Sequence, residues 1–204
     1  MARKTKAEAE RTRQQIIDTA RQVFHAHGVI RSSLEKVAQA AGVTRGAVYW
    51  HFANKAELFT AMREHSHTLI EPADRLVLSE DFADPLDAVE QSMLAFFRVL
   101  EESEELRQIF EIMSLRCEYV DEFAPVLHEV NGSCLEFLGK LEIAYARARE
   151  KGTLREGMSP EALALDTISF TSGVFNNWLS SQPGDRLRTE VPAMIRTHIA
   201  LRRR

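Results

Sequence analysis

Apolar residues recur three and four positions apart along most of the chain, the spacing that gathers side chains on one face of an α-helix. Ile16, Ile17, Ala20, Val23 and Phe24 show it first. Met93, Phe96, Phe97 and Leu100 repeat it, as do Phe110, Met113, Ser114 and Cys117, and later Ile168, Thr171, Ser172 and Phe175. No long period-two alternation marks strands, so the pattern predicts an all-α chain. Short oxygen side chains with Glu three residues on predict helix starts at Thr5–Glu8, Ser32–Glu35 and Asn54–Glu57. Asp84-Pro85, Ser159-Pro160 and Thr189 offer further starts. Stops fall at Gly28, Gly42, Gly152 and Gln182-Pro183-Gly184. Nine helices follow, near 6–27, 33–41, 44–51, 54–79, 85–101, 104–117, 120–150, 159–181 and 187–202, with a break in the seventh at Asn131-Gly132.

Composition adds little until it is divided. The 204 residues are 45% hydrophobic and 27% charged, with a net charge of -4, all ordinary for a globular protein. Residues 1–55, however, hold 10 Lys+Arg against 4 Asp+Glu, a net of +6, while residues 56–204 carry a net of -10. A basic head on an acidic body points to an interaction module. The two cysteines, Cys117 and Cys134, have no metal-site spacing and fit a reducing compartment. The longest uncharged stretch, residues 167–184, is half Ser, Thr, Asn and Gln, which argues for a buried or interfacial helix and against a membrane span. A cytoplasmic location is expected.

Inside the basic segment, residues 34–52 read LEKVAQAAGVTRGAVYWHF. Two short helices meet at Gly42. Leu34, Val37, Ala38 and Ala41 line the first, Val48 and Phe52 the second, and small Ala38 permits a close crossing. This is the arrangement of a helix-turn-helix, whose second helix enters the DNA major groove. The outer side of that helix carries Thr44, Arg45 and Gly46 at its start, then Tyr49, Trp50 and His51. Arg45 has the fork that matches guanine O6 and N7.

The segment from Thr12 to Leu58 resembles the DNA-binding domain of the TetR family of transcriptional repressors. The opening MARKTK, Gly42-Val-Thr-Arg-Gly-Ala-Val-Tyr-Trp-His-Phe52 and Asn54-Lys-Ala-Glu-Leu58 are similar to its AcrR/TtgR branch, which represses multidrug efflux pumps. Residues 111–119 and the stretch Gly173…Asn177-Trp178-Leu179 extend the likeness into the body. The resemblance implies a nine-helix TetR-like architecture. Its helix-turn-helix domain of three helices would occupy 1–53, and its ligand-binding and dimerisation domain 54–204. It also implies that Ser33, Thr44, Arg45, Gly46, Tyr49, Trp50, His51 and Lys55 meet DNA. Base reading falls to Arg45 and Thr44; phosphate contact falls to Ser33, Tyr49, His51 and Lys55. Arg3, Lys4 and Lys6 either touch phosphate nonspecifically or form a solvated tail.

For the body, the resemblance turns apolar stripes into an expected pocket for a hydrophobic small-molecule inducer, lined by Met93, Phe96, Phe97, Phe110, Met113, Ser114, Ile168, Thr171, Ser172 and Phe175. Ser114 and Ser172 stand where some relatives carry a His or a carboxylate, so neutral aromatic ligands are expected. The last two helices are expected to form a homodimer through Leu165, Val174, Trp178, Leu179, Met194, Ile195 and Ile199. Two heads would then read a palindromic operator. The function implied is ligand-responsive repression of a multidrug efflux operon; the alternative is TetR-type regulation of other genes.

Enzyme chemistry finds little support. No nucleophile–base motif, Gly-rich phosphate loop or HExxH occurs. His65 and His67, like His25 and His27, stand two apart and point to different sides of a helix, a poor metal pair. No cofactor or metal is expected. Cys117 reads as a small buried hydrophobe before a redox sensor.

Overall fold

The computed structural model describes residues 6–204. Thr5, Arg3 and Lys4 lie outside the described residues; Lys6 opens the first helix and is exposed. Among the described residues there are nine α-helices: α1 (Lys6–His27), α2 (Leu34–Ala40), α3 (Arg45–His51), α4 (Lys55–Leu76), α5 (Pro85–Glu102), α6 (Glu104–Leu115), α7 (Ala124–Glu150), α8 (Pro160–Ser180) and α9 (Arg186–Ala200). A single 3-10 turn, Asp121–Phe123, precedes α7. None of these helices is long and apolar enough to cross a membrane.

The start and stop chemistry accounts for most boundaries, with corrections. The cap of α2 is Ser33, accepting from the Lys36 N–H at 3.2 Å; the neighbouring Ser32 hydroxyl instead donates to Gly28 O at 2.7 Å. At α4, Asn54 Oδ1 accepts from the Glu57 N–H at 2.8 Å while Glu57 reaches back to the Ala53 N–H at 2.6 Å. The start expected at Thr189 belongs to a helix already begun at Arg186. The break expected at Asn131-Gly132 is absent. Gly132 keeps a negative φ and α7 runs on; a glycine inside a helix costs only about 1 kcal/mol relative to Ala.

The chain forms two compact units, neither of them continuous in sequence. The first joins residues 1–68 to 105–128; the second joins 69–104 to 129–204. The expected boundary after residue 53 is not where the compact units divide, because the start of α4 and all but the first residue of α6 belong with the head.

In the first unit α1 packs on α2 and α3. Ile16, Ala20 and Phe24 on α1 are fully buried, as are Val37, Val48, Leu58, Phe59 and Met62. The Phe59 ring meets Phe123 edge-on at 5.5 Å and lies 6.5 Å from Phe24. Between α1 and α6, His25 Nε2 and Glu111 Oε2 are 2.5 Å apart, and Arg21 donates to Gln108 with Glu105 close by. The Val29 N–H donates to Arg116 O at 3.0 Å.

In the second unit α9 packs on α5 and α8. Trp178, 1% exposed, lies 6.4 Å from Phe97 and carries the Arg188 guanidinium over its ring at 4.0 Å. Thr167 links Tyr145 (2.6 Å) and His198 (3.2 Å) in a buried polar chain. The segment Arg202–Arg204 is tied to the body by side-chain and backbone bonds. Arg202 binds Asp166, Arg203 binds Asp84 and Asp87, and the Arg204 N–H donates to Thr153 O at 2.9 Å.

Candidate nucleic-acid interface

The turn between α2 and α3 is set by backbone chemistry. Ala41 ends α2 and Gly42 takes φ +65°. Its N–H donates to Gln39 O at 3.2 Å and the Val43 N–H to Ala38 O at 3.1 Å, the paired bonds of a Schellman stop. Gln15 on α1 donates to Ala41 O at 2.8 Å, tying the turn to α1. Thr44 then caps α3, its hydroxyl accepting from the Ala47 N–H at 3.1 Å. Val48 and Phe52, 0% and 1% exposed, anchor the short helix inward.

Fixing that inner side presents the outer one. Ser33, Thr44, Arg45, Gly46, Tyr49 and Trp50 are all exposed, and His51 is half-buried. Trp50 is 72% exposed, with its ring edge-on to His51 at 4.5 Å. An indole left this open contributes little to the core, so packing gives no reason for it. Gly46 is not demanded by the fold: a Cβ there would meet only Thr44 Oγ1, at 3.9 Å. Arg45 donates to Glu35 Oε1 at 3.0 Å and lies over the Tyr49 ring at 5.2 Å, while the Tyr49 hydroxyl donates to the same oxygen at 3.3 Å. Tyr49, then Glu35, hold the Arg45 guanidinium above its ordinary pKa. Glu35 went unnoticed in the sequence reading except as a helix-start residue. Ten positions separate it from Arg45, and only the turn geometry joins them.

Lys55 differs from expectation. Its ammonium donates to Ile30 O at 3.3 Å and Ser32 O at 3.2 Å, and lies 3.9 Å from Glu122 and 5.4 Å from the Phe123 ring centre. With its side chain only 15% exposed, it fastens the loop that delivers Ser33.

Seven of the ten residues expected around a ligand lie in the second unit: Met93, Phe96, Phe97, Ile168, Thr171, Ser172 and Phe175. Phe96 meets Phe97 at 5.4 Å and Phe175 at 5.6 Å, Thr171 donates to Thr167 O at 2.7 Å, and Ser172 is exposed. Phe110, Met113 and Ser114 lie in the first unit, with Ser114 exposed. Of the residues expected at a dimer interface, Val174, Trp178, Leu179, Ile195 and Ile199 are buried at 5% or less within the chain itself. They fill the second unit's own core and offer no surface to a partner. Leu165 is 54% exposed and Met194 half-buried.

The other sequence candidates resolve differently. His25 pairs with Glu111, and His65 Nε2 stands 3.6 Å from Glu105. Burial pushes the Cys117 thiol up to about 11, so it is not a reactive thiolate at neutral pH. Among the described residues no three His, Cys, Asp or Glu side chains gather as a metal site.

Residues 16–62 match the family model for bacterial regulatory proteins of the tetR family, and residues 84–203 match the C-terminal region of MAATS-type transcriptional repressors. The HTH-type transcriptional regulator TtgR of Pseudomonas putida is 36% identical over 179 residues, covering 88% of this chain and 85% of TtgR. The crystal structure of NalD, the secondary repressor of the MexAB-OprM multidrug efflux pump in Pseudomonas aeruginosa, superposes with a TM-score of 0.86 at 31% identity, covering 98% of this chain and 99% of NalD. The SmeT–triclosan complex, SmeT being the repressor of the Stenotrophomonas maltophilia pump SmeDEF, gives a TM-score of 0.81 at 31% identity, covering 95% and 92%. With the helix-turn-helix, its exposed outer side and both family models spanning most of the sequence, the chain belongs to the TetR family of bacterial transcriptional regulators.

Proposed function

We propose that this protein is a cytoplasmic repressor, not an enzyme, that binds a palindromic operator as a homodimer and leaves it when a hydrophobic small molecule binds. The observation that carries the DNA-binding assignment is the outer side of α3, where Arg45, Tyr49 and Trp50 stand exposed on a helix whose inner side is fixed by Val48 and Phe52. Arg45 and Thr44 read base edges; Ser33, Tyr49 and His51 set register on phosphates, and Gly46 lets the backbone approach. Lys55 acts through the loop it fastens.

Multidrug efflux genes are the proposed target. NalD and SmeT, each the repressor of a multidrug efflux pump, support this reading. The second unit's Phe96, Phe97 and Phe175, with Met93, Ile168 and Thr171, are its candidates for an aromatic ligand; Phe110, Met113 and Ser114 are those of the first. Triclosan bound by SmeT supports that ligand class. Dimerisation is assigned to the outer strip of α8, where Leu165, Ser169, Ser172, Gly173 and Asn176 are exposed at helical spacing. Ligand acts only through its different affinity for the operator-competent and incompetent states.

Genomic footprinting with the purified protein, then titration of the recovered site with and without hydrophobic drugs found by thermal shift, tests the proposal. The expected result is a palindromic site near a pump operon and weaker binding with drug. Recovery of no discrete site removes the repressor assignment, and unchanged affinity under saturating drug removes induction.

A further inference from the structure

We propose that Glu35 is a positioning residue for DNA recognition, holding Arg45 in one orientation and thereby setting how well the protein separates its operator from other DNA. This rests on the assignment of Arg45 to base reading. Glu35 stands in the first turn of α2, and one of its oxygens accepts from Arg45 at 3.0 Å and from the Tyr49 hydroxyl at 3.3 Å. The guanidinium lies over the Tyr49 ring at 5.2 Å, so three side chains close a triangle across the helix-turn-helix. Arginine carries five N–H donors in a rigid fork. Those engaged by Glu35 fix the plane, and the remainder are left for a base edge.

A carboxylate on this side is otherwise hard to justify. The Glu35 side chain is 45% exposed, beside the residues that meet a polyanion. Its own backbone N–H, with further help from Ser33, Arg45 and Tyr49, holds its carboxyl below the ordinary range, so it is ionised at neutral pH. A fixed negative charge opposes every duplex alike. On DNA without the right base, Arg45 would have to leave Glu35 to reach a phosphate, bringing that phosphate toward an uncompensated carboxylate. On the operator, Arg45 reads its base without leaving. The charge therefore weakens nonspecific binding more than specific binding, the repulsive element on which specificity depends.

Glu35→Gln, Arg45→Ala and the double variant test this on full-length protein. Each is titrated with the footprinted operator duplex, its single base-pair variants and a random-sequence duplex across a salt series. Glu35→Gln is expected to tighten random-duplex binding about two- to fivefold, the range of an exposed charge pair, and to steepen the salt dependence by about one counterion. It lowers discrimination by a similar factor at the base pair that Arg45→Ala identifies. In the Arg45→Ala background that loss of discrimination disappears. Glu35→Asp keeps the charge but is one methylene short, so it lowers discrimination while random-duplex affinity stays unchanged. Unaltered discrimination in Glu35→Gln, or an equal loss in both backgrounds, overturns the proposal in favour of a purely structural role. An Arg45→Ala protein that keeps full base preference at every position overturns the base-reading assignment itself, and Glu35 with it.

Discussion

The Arg45 side chain shows at the smallest scale how a reading surface is built from restraints. Arg45→Ala is expected to weaken operator binding about tenfold or more while relaxing preference at one base pair. Uniform weakening across base-pair variants would reassign Arg45 to phosphate. Lys55 carries a different expectation. Its ammonium satisfies two loop carbonyls from a half-buried position, so Lys55→Met is expected to cost about 1–2 kcal/mol of stability and to weaken DNA binding without changing the salt slope. A flatter slope at unchanged stability would restore direct phosphate contact. His198 brings pH dependence. Burial, aided by Arg202 and opposed by Asp166, pushes it down to about 4. An unfolded His titrates near 6.5, so the stabilisation is complete above that value and is lost as pH falls from about 6.5 toward 4. Denaturant unfolding across that window should show the loss, and His198→Gln should flatten it; an unchanged slope rules His198 out as its source.

Among helices, the sequence made some relations plain and hid others. The N-terminal caps at Asn54, Asp84 and Ser159 and the stop at Gly42 were legible because each depends on a few adjacent residues. The inward side of α8 was not legible in the same way, because periodicity shows that a face is apolar, not what covers it. Val174 and Trp178 look equally suited to a partner and to their own core until the packing of α9 against α8 is known. Trp178→Ala is therefore expected to cost about 3–5 kcal/mol of folding stability, with urea unfolding as the measure. A stable variant that is merely monomeric would return Trp178 to the interface. The pairing of α1 with α6 was equally hidden, because His25 and Glu111 lie 86 positions apart. Glu111→Ala is expected to speed hydrogen exchange in the last turn of α1; unchanged exchange there would mean that the pair does not hold these helices together.

For the molecule as a whole, the division of charge by sequence needs refinement. The head's excess is not all directed at DNA. Glu105 and Glu122, drawn from the acidic later sequence, approach Arg21 and Lys55 within the first unit. Those partners already have intramolecular counterparts, and the cations available to phosphate are correspondingly fewer. The acidic body was legible in composition; its partial return to neutralise the head was not, because that depends on residues 105–128 folding with residues 1–68.

The bond from the Val29 N–H to Arg116 O, next to Gly28, has a consequence for divergence. It uses no side chain, so exchange of the buried Val29 for another apolar residue of similar size leaves it in place, whereas proline lacks the donor. A descendant could exchange His25, Glu111 and Arg21 for other residues and still keep the end of α1 in register with the end of α6. Comparing side chains across descendants would then record the link as lost while the backbone retained it.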